Sequence, residues 1–543
     1  MSLINVCTRI FAASQQHPER LALSIPRMQG LQYLDEETIQ YGELSERCAH
    51  MQCALNKLGL IVGDRVLILA RPHIQTYILM LSLLSLGLVP VLIDRGMSRE
   101  RILASIRVSR AKVTIGDRAI LRLWWFFPPL WKLPRYGLDG ACVGIKDLRP
   151  LLSKTAETPD CLLLPPDAHG LITFTSGSTG NPKGADRTHQ SLIEQHLAIR
   201  AHWPDRDDDV DSPCFPVLVL HNLCCGISTI MPRVDLAAPA RVNTRQITTQ
   251  WRISGITRIA AAPAFMTNVC QYAQLTRQQF PVIRSLAIGG STLPFDLVVN
   301  LDMIFPNAEI MLVYGSTEAE PIAEILLPEL RQHWQRYAGH LVGLPAVGTE
   351  VRIVDPNAEL SDEVSVDQAI VVGDHVGEIL VSGKHVLHGY VDNPSANKES
   401  KIPRTRGDVW HRTGDAGFFD PEGRLWLVGR IKDALWIDNE RVYTFAPEKD
   451  CDALAGVVRS ALVQLKQQII LVLETTACPE QHLLLAILKK HGIANASLVI
   501  VDKMPVDGRH NSKVDRTALL ASLAKKRWPV RALSAHTDSW SMQ

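Results

Sequence analysis

Thr175-Ser176-Gly177-Ser178-Thr179-Gly180-Asn181-Pro182-Lys183-Gly184 follows a short apolar run, Leu171 to Phe174, that reads as a buried strand. The three glycines let the backbone turn sharply and approach a ligand closely. Hydroxyls and free N–H groups can then surround phosphate oxygens, with Lys183 supplying a positive charge. A P-loop has Gly before its Lys and Ser or Thr after it. Here Pro182 precedes and Gly184 follows, so the stretch is a different anion loop. Pro182 also opposes a helix running on through it.

Working outward, apolar strand-like runs alternate with helical patterns from about Leu60 to Tyr314. Examples are Arg65 to Ala70, Val89 to Ile93, Ser285 to Ile288 and Glu309 to Val313. This is an α/β layout, with ligand loops expected at the carboxyl ends of strands. Between about Gly343 and Trp426 the pattern changes to short β-like pieces such as Thr349 to Val354 and Gly377 to Val381, with turn residues between them. After Gly429-Arg430 comes a third region, a small α+β unit, and the polar stretch from Arg527 to Gln543 reads as a frayed tail. The expected fold class is therefore α/β. A large N-terminal domain (1–430) has α/β layers and a β-rich subdomain, a small mobile α+β domain spans 431–526, and 527–543 is a flexible tail.

The chain has 543 residues, too many for one compact core. Its net charge of +1 implies no nucleic-acid partner. The acidic run Asp205 to Asp211 reads as a solvated loop. The 11 cysteines include no CxxC pair, and Cys224-Cys225 sit inside an apolar run. These features argue against a disulfide framework and for a reduced, cytoplasmic setting. Tyr77 to Asp94 is long and uncharged until its last residue. Gly87 and Pro90 break it, so a buried helix followed by a strand is expected. The aromatic segment Leu121 to Leu133 carries Trp124, Trp125, Phe126, Phe127 and Trp131. It reads either as a core or lid segment or as a greasy surface for a lipid-like substrate, a membrane or a partner enzyme.

Further motifs follow the anion loop in order. Gly289-Gly290-Ser291 follows one strand, and Tyr314-Gly315-Ser316-Thr317-Glu318 ends another. Mg²⁺ prefers one or two carboxylates plus phosphate oxygens, a task open to Glu318. His411-Arg412-Thr413-Gly414-Asp415 offers a carboxylate that can accept two hydrogen bonds from a diol. Gly429-Arg430-Ile431-Lys432-Asp433 adds a fixed charged donor, Arg430. Pro505-Val506-Asp507-Gly508-Arg509-His510-Asn511-Ser512-Lys513 closes the series.

Together these motifs resemble the adenylate-forming superfamily of acyl-CoA synthetases, luciferases and adenylation domains, over roughly Ile4 to Leu523. The resemblance implies ATP and Mg²⁺ as cofactors and two steps. A carboxylate attacks ATP to give an acyl-adenylate and pyrophosphate, and a nucleophile then takes the acyl group and releases AMP. It implies a phosphate loop at Thr175, Ser176, Gly177, Ser178, Thr179, Gly180 and Lys183, and an adenine segment at Gly289, Gly290 and Ser291. It further implies phosphate and metal contacts from Tyr314, Gly315, Ser316, Thr317 and Glu318, ribose contacts from Asp415 and Arg430, and a hinge at Lys432. Lys513 would be the cation of the first step, and Glu378 a supporting residue. The small domain of this superfamily rotates between steps, so Lys513 would serve the first alone.

The second step is open at this point. Thioester-forming members follow the hinge with a glycine-rich loop along the pantetheine arm. Here Ala434 to Tyr443 contains no glycine, which makes close approach of CoA harder. Many acyl-CoA synthetases carry a histidine where Val219 stands, and His221 lies two residues on. Phe215-Pro216 with its apolar run to Pro232, Glu318 to Ala323, Val442-Tyr443-Thr444 and Pro505 to Lys513 resemble the β-lactone synthetases of bacterial long-chain olefin biosynthesis. In that subfamily the substrate is a β-hydroxy acid whose own hydroxyl closes the ring. Fatty acyl-CoA or acyl-carrier ligation is the alternative, and a non-catalytic binding protein on the same fold the second. Intact Lys183, Glu318, Asp415 and Lys513 argue against the last, since charges in partly buried places are costly. The apolar run Val217 to Met231 and Ala260-Ala261-Ala262-Pro263 imply a tunnel for a carboxylic acid with an apolar chain.

Overall fold

A computed structural model of the chain describes residues 2–29, 32–94, 96–153, 157–175, 182–236, 241–477, 479–506, 513–525, 528 and 531–533. Two sheets carry the large N-terminal domain. The first has seven strands, in the order Lys146–Asp147, Arg135–Gly137, Val113–Gly116, Arg65–Leu69, Val89–Ile93, His169–Thr175 and Lys183–Thr188. Its neighbours are parallel except the last pair, an antiparallel hairpin. Central strands buried on both faces need continuous apolar runs, which Val89-Pro90-Val91-Leu92-Ile93 supplies. The uncharged stretch before it forms the helix Ile74–Ser85. Gly87, at φ +71°, ends that helix and turns the chain into the strand. No helix among the described residues is long and apolar enough to cross a membrane.

The second sheet has fourteen strands and changes character midway. Strands Val210–Pro213, Arg258–Ala261, Ser285–Gly289 and Glu309–Ser316 run parallel. From Glu309–Ser316 the chain folds straight back as Ala319–Leu326, antiparallel. The sheet then continues antiparallel through His340–Pro345, Leu425–Arg430, Val409–Phe419, Gly377–Ser382 and Glu350–Val354. The α/β half thus passes into the β-rich half at the Tyr314–Glu318 motif.

A smaller C-terminal unit follows. Strands Val457–Leu465, Gln468–Thr475, Ser497–Val501 and Arg531–Ala532 form one sheet, with helices Phe445–Asp452, Gln481–Lys490 and Arg516–Ala524. Before them, Leu435–Ile437 and Glu440–Val442 pair as a hairpin. Its turn residues Asp438 and Asn439 both have positive φ, 49° and 65°, the geometry that fits a two-residue hairpin turn.

The acidic run departs from its expected solvated state. Asp207 and Asp208 are exposed, but Asp209 and Asp211 are buried. Asp209 accepts from Thr257 Oγ1 at 2.8 Å and pairs with Arg284 at 2.9 Å. Asp211 accepts from Asn222 Nδ2 at 2.8 Å. The end of the run has become the buried start of a strand, Val210–Pro213, where Arg284 and Arg258 pair with Asp209 and burial pushes the Asp211 carboxyl up.

Candidate active site

The carboxyl ends of the parallel strands converge on one place. Glu309–Ser316 delivers Tyr314, Gly315 and Ser316, and the turn to Ala319–Leu326 presents Thr317 and Glu318. Beside it, Ser285–Gly289 ends at Gly289, paired with Val313. A Cβ on Gly289 would lie 2.8 Å from the Val313 carbonyl oxygen, so this close approach needs glycine. Gly290 takes φ +97° and faces the ring of Phe215. Among the described residues, the buried Oγ of Ser291 has no hydrogen-bond partner. An orphaned donor and acceptor beside an open glycine turn fits a polar heterocycle edge such as adenine.

Asp415 comes from the strand Val409–Phe419, in register with Arg430 of the neighbouring strand. Its Oδ2 accepts from Tyr314 Oη at 2.7 Å, and its Oδ1 lies 3.2 Å from Arg430 Nε. Burial and the adjoining Asp415 push the Tyr314 phenol up, which keeps it a donor. Each carboxylate oxygen retains a second lone pair, so both can still accept from a diol. Glu378, supporting in expectation, has a definite partner: its buried carboxylate accepts from Arg412 Nε at 3.0 Å and from Nη2. It fixes Arg412 three residues before Asp415.

The phosphate hairpin is placed by its two strands, with Thr175 opposite Lys183. Ser176, Gly177, Ser178, Thr179 and Gly180, expected to surround phosphate, lie outside the described residues, as does the side chain of Thr175. Arg187 on the returning strand joins the hairpin to the Thr317–Glu318 turn, donating to Thr173 Oγ1 at 2.6 Å and to the Thr317 carbonyl at 3.1 Å.

Two residues at the centre escaped the sequence reading. Tyr390 Oη donates to Glu318 Oε1 at 2.8 Å, and Lys183 Nζ lies 5.1 Å from the Tyr390 ring centroid. Lys401 Nζ lies 5.8 Å from the same ring and donates to the Leu387 carbonyl. The backbone locks this segment between the two motifs: Leu387 N donates to Glu318 O at 2.8 Å and Val391 N to Gly184 O at 2.9 Å. Burial pushes Lys401 down to about 7, against the pull of Glu318 and with the push of Lys183. Burial opposes ionisation of Glu318, but the Tyr390 hydroxyl and Lys401 help to hold the carboxyl below its ordinary value. Buried His411 is itself driven towards the neutral form, with Nδ1 3.2 Å from the Ser400 carbonyl oxygen.

This donor set fits Mg²⁺ in a restricted way. Glu318 is one ionised carboxylate, with Lys401 and Lys183 close by. One carboxylate among cations suits a metal that brings phosphate oxygens with it, and suits bare Mg²⁺ poorly.

Lys513 is exposed, next to the bridge between Val506 and Val514; residues 507–512 of its motif lie outside the described residues. Three residues on, Arg516 anchors the segment. It pairs with Glu448 at 2.6 Å and donates to Thr444 Oγ1 at 3.1 Å. Lys432 is lowered chiefly by burial, and it feels Asp433, Arg430, Asp515 and Lys183. Lys432 is therefore within electrostatic reach of Arg430, Lys183 and the Lys513 segment.

His221 sits on the helix Val217–Cys225, buried. Its Nδ1 lies 3.1 Å from His196 Nδ1 and its Nε2 3.6 Å from Cys225 Sγ. The two neighbours face opposite nitrogens of one ring, so the group is a hydrogen-bonded chain rather than a metal cage. Burial lowers both histidines and raises Cys225. Nearby Phe215 and Leu218 pack with Ala260, Met311 and Val313 as an apolar wall beside Gly290.

Comparisons with known proteins point to one family. The AMP-binding enzyme family matches residues 10–391. The olefin beta-lactone synthetase of Stenotrophomonas maltophilia (strain K279a) is 28% identical over 558 residues, covering 95% of this chain and 97% of that protein. The olefin beta-lactone synthetase of Xanthomonas campestris pv. campestris is 27% identical over 552 residues, covering 97% and 98%. Among solved structures, the O-succinylbenzoate coenzyme A synthetase of Bacillus subtilis in complex with AMP superposes with a TM-score of 0.74 at 20% identity, over 94% of this chain and 97% of that one.

Proposed function

The chain belongs to the AMP-binding enzyme family, and on that premise we propose that it converts a β-hydroxy acid with an apolar chain into a β-lactone. It is an AMP-forming, ATP-dependent enzyme that activates a carboxylic acid as its adenylate. The narrower substrate and the ring closure are our reading.

In the first step a carboxylate oxygen attacks the α-phosphorus and pyrophosphate leaves. Asp415 and Arg430 hold the ribose, and Gly289, Gly290 and Ser291 line the adenine. Lys183 and the loop from Thr175 to Gly180 hold the outer phosphates, with Tyr314 to Thr317 alongside. Glu318 would hold Mg²⁺, which would supply charge neutralisation on the phosphates. Lys513 brings a cation to the α-phosphate as charge develops there. The small domain, 431–526, then turns about Lys432 and removes Lys513, with 527–543 as a tail. In the second step the β-hydroxyl oxygen attacks the acyl carbon, the hydroxyl proton passes to solvent and AMP departs. The acid has lost one water overall.

The observation that carries the second step is the hairpin at Leu435–Ile437 and Glu440–Val442. It stands where a thioester-forming relative would have a glycine-rich loop. Tyr443, next along, packs against Gly429, where a Cβ would lie 3.1 Å from Tyr443 Cβ. An internal nucleophile needs no pantetheine passage, and tethering supplies an effective molarity on the order of 10⁵ M. The full-length likeness to two olefin beta-lactone synthetases supports the same choice. Acyl-CoA ligation is the second reading, favoured by the O-succinylbenzoate coenzyme A synthetase among the fold neighbours.

Mass spectrometry of products from ATP, Mg²⁺ and a panel of fatty and β-hydroxy acids, with and without CoA, tests the proposal. A β-hydroxy acid should lose one water with no CoA present. A thioester formed from plain fatty acids, with AMP release dependent on CoA, would replace the lactone reading by the ligase one.

A further inference from the structure

The aromatic segment Leu121 to Leu133 divides into two faces. Leu121 and Leu130 are buried, and Trp124, Phe127 and Leu133 pack partly buried around a core that includes Met97 and Ile106. That accounts for a structural role. It leaves Leu123, Trp125, Phe126 and Trp131 pointing outward, 50%, 58%, 58% and 56% exposed. Single exposed apolar residues are ordinary, but four large ones within nine positions are not.

The exposure is built in rather than incidental. Trp124–Phe126 and Pro128–Leu130 are consecutive 3₁₀ turns. Trp131 Nε1 donates to the Trp125 carbonyl at 3.1 Å, and the Arg135 guanidinium lies 4.0 Å over the Trp124 ring. Arg99 donates to the Phe126 carbonyl at 3.0 Å. These bonds hold the inward face while the outward side chains stand in solvent.

Charge selects the occupant. From Arg99 to Asp139 there are nine basic residues and three acidic ones, Glu100, Asp117 and Asp139, the last exposed and accepting from Arg118 N at 2.7 Å. Asp117 is buried against His73, 2.6 Å away. Arg99, Arg118, Arg122 and Lys132 are exposed around the aromatic turns. A second copy meeting this face about a two-fold axis would set like charges together. Exposed Trp and Phe ringed by Arg and Lys suit the boundary between acyl chains and anionic headgroups. We propose that Leu123, Trp125, Phe126 and Trp131 insert into the surface of an anionic lipid membrane, with Arg99, Arg118, Arg122 and Lys132 on the headgroup phosphates.

Co-sedimentation with vesicles tests this. The full-length protein should bind phosphatidylcholine vesicles containing phosphatidylglycerol, bind pure phosphatidylcholine less, and be released by salt. Trp125→Ser with Trp131→Ser should weaken partition at least about tenfold. Arg122→Glu with Lys132→Glu should weaken it by roughly fivefold or more per residue. Both double variants should keep wild-type thermal melts and wild-type adenylation of a water-soluble acid. A conservative pair, Trp125→Phe with Trp131→Phe, should still bind but lose the fluorescence quenching that brominated lipids cause in the wild type. No binding to anionic vesicles, or binding that neither substitution pair changes, would overturn the proposal. So would self-association in sedimentation velocity that the serine variants abolish while vesicles have no effect, since that assigns the face to a protein contact.

Discussion

Tyr390 donates its phenolic hydrogen to Glu318 at 2.8 Å, Glu318 standing in the turn where the α/β half passes into the β-rich half and Tyr390 in the segment after the strand Gly377–Ser382. The ring that carries this hydroxyl has Lys183 and Lys401 near it, at 5.1 and 5.8 Å. One side chain thus links the carboxylate proposed for Mg²⁺ to the lysine proposed for the phosphates. A hydrogen bond to the charged form of a carboxyl favours that form, so Tyr390 helps to keep Glu318 ionised inside the protein.

Tyr390→Phe keeps the ring and removes only the hydroxyl. Hydrogen bonds to charged groups are worth about 1.5–3 kcal/mol, so adenylation should fall roughly 10- to 100-fold. Pyrophosphate exchange reads this directly, and the thermal melt should move little. An unchanged exchange rate would mean that Glu318 takes its working position without Tyr390.

Lys401 gives a proton signature. In the free enzyme its pKa lies near 7, below the ordinary 10.5, so the unfolded chain binds the extra proton between those values. Stability therefore rises with pH across that window, and the full cost of burying the ammonium is felt below about 7. Phosphates arriving near Lys183 would raise Lys401 again. ATP binding just above pH 7 should take up a proton, seen as buffer-dependent heats in calorimetry. Lys401→Met should remove both the proton uptake and the stability slope. Equal heats in all buffers for the wild type would show that Lys401 does not feel the nucleotide.

The contiguous motifs were legible because each lies on a strand or at a strand end, where short spacing survives folding. Tyr314, Asp415 and Arg430 do meet, through Tyr314 Oη and Arg430 Nε on one carboxylate. Tyr390 and Lys401 were not legible. Each is a single residue in the β-rich half, brought to Glu318 by backbone pairing of Leu387 and Val391 rather than by any local pattern. Lys401 opens a short strand, Lys401–Pro403, where a buried charge breaks the apolar expectation. Asp209 and Asp211 misled for a related reason. An acidic run looks solvated until Arg284, Thr257 and Asn222 arrive from elsewhere to pair with it.

Lys513 should divide the two half-reactions. Its segment is tied by Arg516 to Glu448, while Asp515 reaches Lys432 electrostatically. Lys513→Ala should lower adenylate formation by roughly 10² or more, the scale for losing a group that stabilises developing charge. Consumption of a pre-made β-hydroxyacyl-adenylate should change much less. Arg516→Ala should lower both, because it loosens the whole segment. Equal losses in both assays for Lys513→Ala would contradict its assignment to the first step.

The matching acid without a β-hydroxyl isolates the chemistry of release. It offers the same carboxylate to ATP and the same apolar chain to the wall formed by Phe215, Leu218 and Met311. It has no internal nucleophile. If the hairpin at Asp438 and Asn439 leaves no passage for pantetheine, CoA cannot replace the missing hydroxyl. One pyrophosphate per active site should then appear in a burst, followed by little AMP, with or without CoA. The β-hydroxy acid should turn over continuously under the same conditions. Glu318→Gln should suppress the burst and the turnover together, since both begin with the same activated carbonyl. Continuous AMP release from the plain acid only when CoA is added would place the acyl acceptor outside the substrate, and the hairpin would then have to open to admit it.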